Sequence, residues 1–366
     1  MVPGRSPYLV HPTLMENRND ETLLASHRRN NNQLDAFDHP SVQIPLASPP
    51  WTPSSQKSPI LPLDFPDPSI LHDTDGTWYA FATAGNGRQI QVATSPSASG
   101  PWTYLQDVDV LPDTGPWTTG QNTWAPDVRR VGEGRYVMYY SGQRRPLTSD
   151  SGELLAARHY CLGVAVASSP LGPYVAAEEP WACAEERGGI IDPSGFLDPV
   201  TGRRYVVYKI DGNSVGHGGS CGNGVAPLVA TPIMLQEVDA GDGVARVGEA
   251  VEVLDREEVD GPLVEAPSLA YLGGRYVLFY SSHCWIEGGY NVNYATAERV
   301  EGPYRKSRYN PLVQTGDFGL TAPGGATVVE GQGRLVFHAN CAGGRCMFEA
   351  AFSVDQGEVI VMEGGE

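Results

Sequence analysis

Asp67-Pro68-Ser69-Ile70, with the strand Thr77-Trp78-Tyr79-Ala80-Phe81 about ten residues behind it, is the first of five copies of one phrase. The others are Ala125-Pro126-Asp127-Val128, Asp192-Pro193-Ser194-Gly195, Ala266-Pro267-Ser268-Leu269 and Ala322-Pro323-Gly324-Gly325. Each leads through a Gly-centred turn into an aromatic-rich strand, over 135–140, 204–208, 275–280 and 334–337. The prolines at 68, 126, 193, 267 and 323 set a period of 56–74 residues. Such a period, built of strands and turns alone, marks radial repetition. The expectation is an all-β fold, a five-bladed β-propeller with four antiparallel strands per blade, over residues 61–366. Residues 1–60 differ: Arg28-Arg29, Asn30-Asn31-Asn32 and a Pro/Ser stretch over 47–62 carry no strand or helix periodicity. They are expected to be a disordered leader or linker.

The balance of 43 acidic against 25 basic residues gives a formal charge of −18. A surface this acidic repels phosphate backbones, so nucleic acid and anionic membranes are poor partners, while a neutral polysaccharide is compatible. No apolar run reaches the roughly 18 residues that span a bilayer. No apolar core of about 7–15 residues follows the start, so no secretory signal is visible. The even set of six cysteines nevertheless permits three disulfides and favours an extracellular protein. Buried free thiols are the alternative. A monomer is expected.

Up-and-down strand order returns the strand 2–3 loops and the blade-to-blade connections to the face where the five phrases begin. Three of those loops are long, over 142–160, 211–230 and 282–291. Long loops gathered on one end of a rigid scaffold are where sites form. Asp67 and Asp192 precede their prolines, and Glu265 stands one place earlier in its own phrase. Taken singly, each has a bland reading as a strand cap or a solvated strand end. Alanine at the same point in blades 2 and 5 shows that the phrase needs no acid. Three acids converging near a propeller axis therefore point to chemistry. Inverting glycoside hydrolysis uses one carboxylate to activate water and one carboxylic acid to protonate the departing oxygen. A third nearby carboxylate can raise the pKa of the acid.

These segments resemble glycoside hydrolase family 43, inverting arabinanases, arabinofuranosidases and β-xylosidases built on a five-bladed propeller. Phe65-Pro66-Asp67-Pro68-Ser69-Ile70 resembles the motif of the family's general base. Ile191-Asp192-Pro193-Ser194 resembles that of its pKa-modulating Asp, and Val264-Glu265-Ala266-Pro267 that of its general acid. Trp124-Ala125-Pro126-Asp127 is similar to the second-blade phrase, whose Trp borders the substrate pocket. The resemblance, covering about 62–366, implies catalytic roles for Asp67, Asp192 and Glu265 and hydrolysis of α-L-arabinofuranosyl linkages in arabinan or arabinoxylan. β-Xylosidase or galactan-active relatives are the alternative. A non-catalytic sugar-binding propeller and a protein-interaction propeller are the rivals from other classes. The first requires a displaced acid. The second lacks its roughly 40-residue period.

Trp124 and Trp285 are candidates for stacking on sugar rings. Many members carry Gly-Pro-Gly-His-Asn at the fifth head, its His associated with an axial calcium or water cluster; here the stretch is Ala322-Pro323-Gly324-Gly325-Ala326. An axial calcium is accordingly not expected, and no cofactor is required. His338, on the second strand of blade 5, is the candidate to stand in on the substrate side, with a packed core histidine as the alternative. The expected cysteine pairs are 341–346 across a hairpin tip, 161–183 between neighbouring connections, and 221–284 between the strand 2–3 loops of blades 3 and 4.

Overall fold

The computed structural model describes residues 56–146, 159–355 and 358–362. They form five four-stranded antiparallel sheets, each in simple sequence order, which are the five blades of a β-propeller. Blade 1 is β1 (Ser69–His72), β2 (Trp78–Ala82), β3 (Gln91–Ser95) and β4 (Thr103–Tyr104). Blade 2 is β5 (Trp124–Gly132), β6 (Arg135–Gln143), β7 (Tyr160–Ala167) and β8 (Val175–Ala176). Blade 3 is β9 (Ile190–Leu197), β10 (Arg204–Ile210), β11 (Ile233–Val238) and β12 (Arg246–Leu254). Blade 4 is β13 (Val264–Leu272), β14 (Arg275–Ser282), β15 (Asn291–Ala297) and β16 (Arg305–Lys306). Blade 5 is β17 (Gly324–Val329), β18 (Arg334–Cys341), β19 (Gly344–Asp355) and β20 (Glu358–Met362).

The second strands are aromatic and β-branched because both of their faces are covered. From Tyr205 to Ile210 every residue of β10 is buried. There is no single central core. Five buried clusters each lie between two neighbouring blades, for example Phe81, Val92, Met138 and Tyr140 between blades 1 and 2. Burying such side chains contributes roughly 1.5–3 kcal/mol each. The outermost strands of blades 1, 2 and 4 are only two residues long, which leaves little open edge.

The phrases lie inside the first strands of blades 2, 3 and 4, as β-bulges. The pairing register shifts between Trp124 and Asp127, opposite Asp192, and between Glu265 and Ser268. The residue at the bulge is left-handed each time, with φ of 43° at Ala125, 57° at Asp192 and 50° at Ala266, and Asp67, just before β1, is left-handed too (φ 54°). The fifth copy corrects the sequence reading. The register shift of β17 falls between Gly324 and Thr327, so the residue at the head is Gly325 (φ 60°), three places after Ala322. Glycine is required there. A Cβ on Gly325 would come within 2.8 Å of the His338 ring and 3.0 Å of Asp67 Oδ1.

One hydrogen bond links each head to the blade before it. The Ala125 N–H donates to Thr83 Oγ1 (2.8 Å), the Asp192 N–H to Ser141 Oγ (3.0 Å) and the Gly325 N–H to Ser281 Oγ (2.9 Å). The Asp67 N–H donates to His338 Nδ1 (3.1 Å), which joins blade 5 to blade 1 and closes the ring. The Ile60 N–H and the Phe65 N–H donate to the Met347 and Arg345 carbonyls of β19, and Leu61 and Phe65 are buried. The expected boundary at residue 60 therefore falls within a stretch that belongs to the ring.

All three expected disulfides are present, Cys161–Cys183, Cys221–Cys284 and Cys341–Cys346. The loop expected over 142–160 lies largely outside the described residues. Among the described residues, no helix is long and apolar enough to cross a membrane.

Candidate active site

Asp67, Asp192, Glu265, Trp124 and Trp285 all line one cavity of about 510 Å³ on the head face. Blades 1, 3 and 4 each supply one acid from the start of the first strand: Asp67 just before β1, Asp192 within the bulge of β9, and Glu265 one place before the left-handed Ala266 of β13.

Asp67 is the most tightly held. Thr83 Oγ1 donates to its Oδ2 (2.6 Å), while His338 Nδ1 and Arg345 Nη1 lie 3.3 and 3.8 Å from Oδ1. Burial alone would raise its pKa, but Arg345, His338 and Thr83 outweigh burial and hold the carboxyl well below the usual carboxylate range. Asp67 is therefore ionised at any ordinary pH.

Asp192 is the opposite case. Burial, and then the negative charge of Glu265, push it well above the usual range, against the pull of Lys209. Its Oδ2 accepts the Ala266 N–H at 3.0 Å, which ties it to the strand carrying Glu265. Two close carboxyls in a buried site resist ionising together, so Asp192 gives up its proton far less readily than Asp67.

Two cations were not foreseen from sequence. The buried Lys209 places Nζ 2.9 Å from Glu265 Oε2 and 3.1 Å from Asp211 Oδ1. Its signal in the sequence is a lysine near the end of an otherwise apolar strand, Tyr205-Val206-Val207-Tyr208-Lys209-Ile210. Arg345 is carried by the Cys341–Cys346 hairpin and lies over the Trp285 ring, 4.5 Å from its centroid. Trp124 stacks on Tyr160 with ring centroids 3.9 Å apart. These aromatic walls suit the apolar faces of sugar rings.

His338 does not fill the place expected of it. It is only 1 % exposed, does not line the cavity, and sits beneath Asp67 with its ring stacked on Tyr290. Its Nδ1 lies 3.1 Å from the Asp67 nitrogen and 3.3 Å from Asp67 Oδ1, and its buried Nε2 meets no partner among the described residues. Below the heads lies an axial cavity of about 30 Å³, whose lining includes Asp67, Asp127, Asp192, Ser69 and Ser194. Both serine hydroxyls lack a partner, and Asp127 is committed to Arg129 through both oxygens (2.7 and 3.0 Å).

Comparison with known proteins points the same way as the geometry. The chain is 27% identical over 272 residues to extracellular endo-alpha-(1->5)-L-arabinanase 2 of Bacillus subtilis, covering 68% of this chain and 51% of that protein. It thus spans about half the length of that relative. It is 27% identical over 279 residues to the probable arabinan endo-1,5-alpha-L-arabinosidase A of Aspergillus flavus, covering 75% of this chain and 73% of that one. Among solved structures, a thermostable family-43 glycoside hydrolase superposes with a TM-score of 0.65 at 22% identity, over 86% of this chain and 96% of that one. The model for glycosyl hydrolases family 43 matches residues 56–351, and the chain belongs to that family.

Proposed function

We propose that the protein is an inverting glycoside hydrolase acting on α-L-arabinofuranosyl linkages of arabinan. The carrying observation is one cavity with two opposite carboxyl environments: Asp67 held ionised by Arg345, His338 and Thr83, and Asp192 pushed up by burial and by Glu265 beside it. Asp67 accepts a proton from water as the water oxygen bonds to the anomeric carbon. The bond from that carbon to the glycosidic oxygen breaks with its electrons on the oxygen, which takes the proton of Glu265. The products are the inverted sugar and the shortened chain; Asp67 is then protonated and Glu265 ionised until solvent restores them. Asp192, fixed by the Ala266 N–H, tunes and positions Glu265. The arabinan named for both relatives supports the substrate class. Three disulfides, and the word extracellular in the name of the Bacillus relative, support secretion.

Aryl arabinofuranosides with good and poor leaving groups, assayed beside linear arabinan, test this reading. Asp67→Asn should lose at least about 10²-fold in turnover on every substrate. Glu265→Gln should lose as much on arabinan and on poor leaving groups, yet far less on good ones, which depart without a proton. Near-normal turnover of arabinan by either variant, or equal losses of Glu265→Gln across all leaving groups, contradicts the assignment.

A further inference from the structure

Lys209 occupies a position that the other blades fill differently. Thr83, Ser141, Ser281 and His338 each accept the N–H of the next blade's head. An ammonium has three donors and no acceptor, so it cannot do this. In blade 3 the lysine instead donates to Glu265 Oε2, and the orphaned Ala266 N–H goes to Asp192 Oδ2. This one residue type thus does two things: it sets a cation against Glu265 and leaves the backbone donor that anchors Asp192. A buried ammonium is costly unless paired, and Lys209 has no solvent exposure. Burial alone would lower its pKa, but Glu265, Asp211 and Asp192 outweigh burial and keep it charged.

We propose that Lys209 is a positioning residue for the proton-donating carboxyl: it holds Oε2 of Glu265, so that Oε1 carries the proton, and it stabilises the carboxylate left as the proton departs. The proposal rests on the reading of Glu265 as the proton donor. Asp211 is the counterweight, holding the other side of the ammonium at 3.1 Å. The remaining charged and titratable groups around Glu265 are Asp67 and Asp192 on the other heads, Tyr290 from blade 4, and His338 and Arg345 from blade 5. None of these residues is itself altered by changing Lys209 or Asp211.

The readout is the basic limb of kcat/KM against pH, where activity falls as the donor loses its proton. Lys209→Met removes a cation that favours ionisation, so the limb should move to higher pH by about one unit or more, with kcat on poor leaving groups falling more than on good ones. Asp211→Asn removes an anion and leaves the ammonium to Glu265 alone, so its limb should move to lower pH. A lysine that only fills space moves neither limb. Limbs that stay put, or that move in the same direction in both variants, overturn the proposal. If Lys209→Met does not fold, Asp211→Asn decides alone: a downward shift supports the proposal, and no shift or an upward one overturns it. Glu265→Gln run in parallel separates the two levels. Equal losses on good and poor leaving groups refute the donor assignment itself, whereas leaving-group dependence with unmoved limbs refutes only the role of Lys209.

Discussion

Asp67 shows how much of a residue's chemistry comes from neighbours remote in sequence. Its acidity is set by Arg345 and His338, from blade 5, and by Thr83, from the end of its own blade's second strand. Its position was legible because the repeat aligned it with Asp192 and brought Glu265 alongside. Its environment was not legible, because no local pattern says which side chain of blade 5 arrives at the ring closure. Arg345 gave no signal beyond its place in a disulfide hairpin, and His338 had the profile of either a core or a site residue. A consequence follows for pH dependence. A group held well below its ordinary pKa takes its proton only at very low pH, so Asp67 places the acid limb of kcat/KM far down. Arg345→Met removes the leading cation that holds it there, so the carboxyl should take a proton at higher pH and the acid limb should move up by about one unit. A pH–rate profile with an unmoved acid limb would remove Arg345 from this role.

At the scale of the element, the strand content was readable and the heads were only partly so. Aromatic and β-branched runs predicted the second strands, because blades stacked on both sides favour such residues at every position. The bulges inside the first strands left no signal that the phrase alone would show. The fifth copy was misplaced for a related reason. Ala322-Pro323 matches the phrase in letters and Ala322 is itself left-handed, but its N–H goes to Thr315, whereas the N–H that reaches the second strand of the preceding blade is that of Gly325. Gly325→Ala therefore tests the geometry directly. Its methyl group would press on the His338 ring and on Asp67 Oδ1 in a left-handed conformation that disfavours a side chain. A loss of about 2–4 kcal/mol in denaturant stability is expected, from roughly 1–3 for overpacking and about 1 for the backbone. Activity should fall with it as Asp67 is displaced. Unchanged stability and activity would mean that the head is not constrained as described.

For the whole molecule, the five-fold ring was legible because period and strand chemistry agreed, whereas its closure was not. The buried clusters sit between blades, so every blade depends on two neighbours, and the seam between blades 5 and 1 is the one that no link from the last strand of one blade to the first of the next spans. Residues 57–65 reinforce that seam through Leu61, Phe65 and the bonds to β19. Deleting residues 1–55 should leave the thermal midpoint unchanged. Extending the deletion to residue 65 removes two buried side chains, together worth about 3–6 kcal/mol, and should lower the midpoint by about 5–10 °C. Equal midpoints for the two truncations would show that the seam holds without the segment.

The reaction assigned to this scaffold has a single stereochemical signature, because water activated by Asp67 attacks directly while Glu265 protonates the opposite side of the scissile bond. The most direct measurement is proton NMR of the first sugar released from an α-L-arabinofuranosyl substrate, recorded before mutarotation. An initial β-anomer, inverted from the substrate, is predicted. An initial α-anomer would mean retention through a covalent intermediate, and would contradict the roles given to Asp67, Asp192 and Glu265 together.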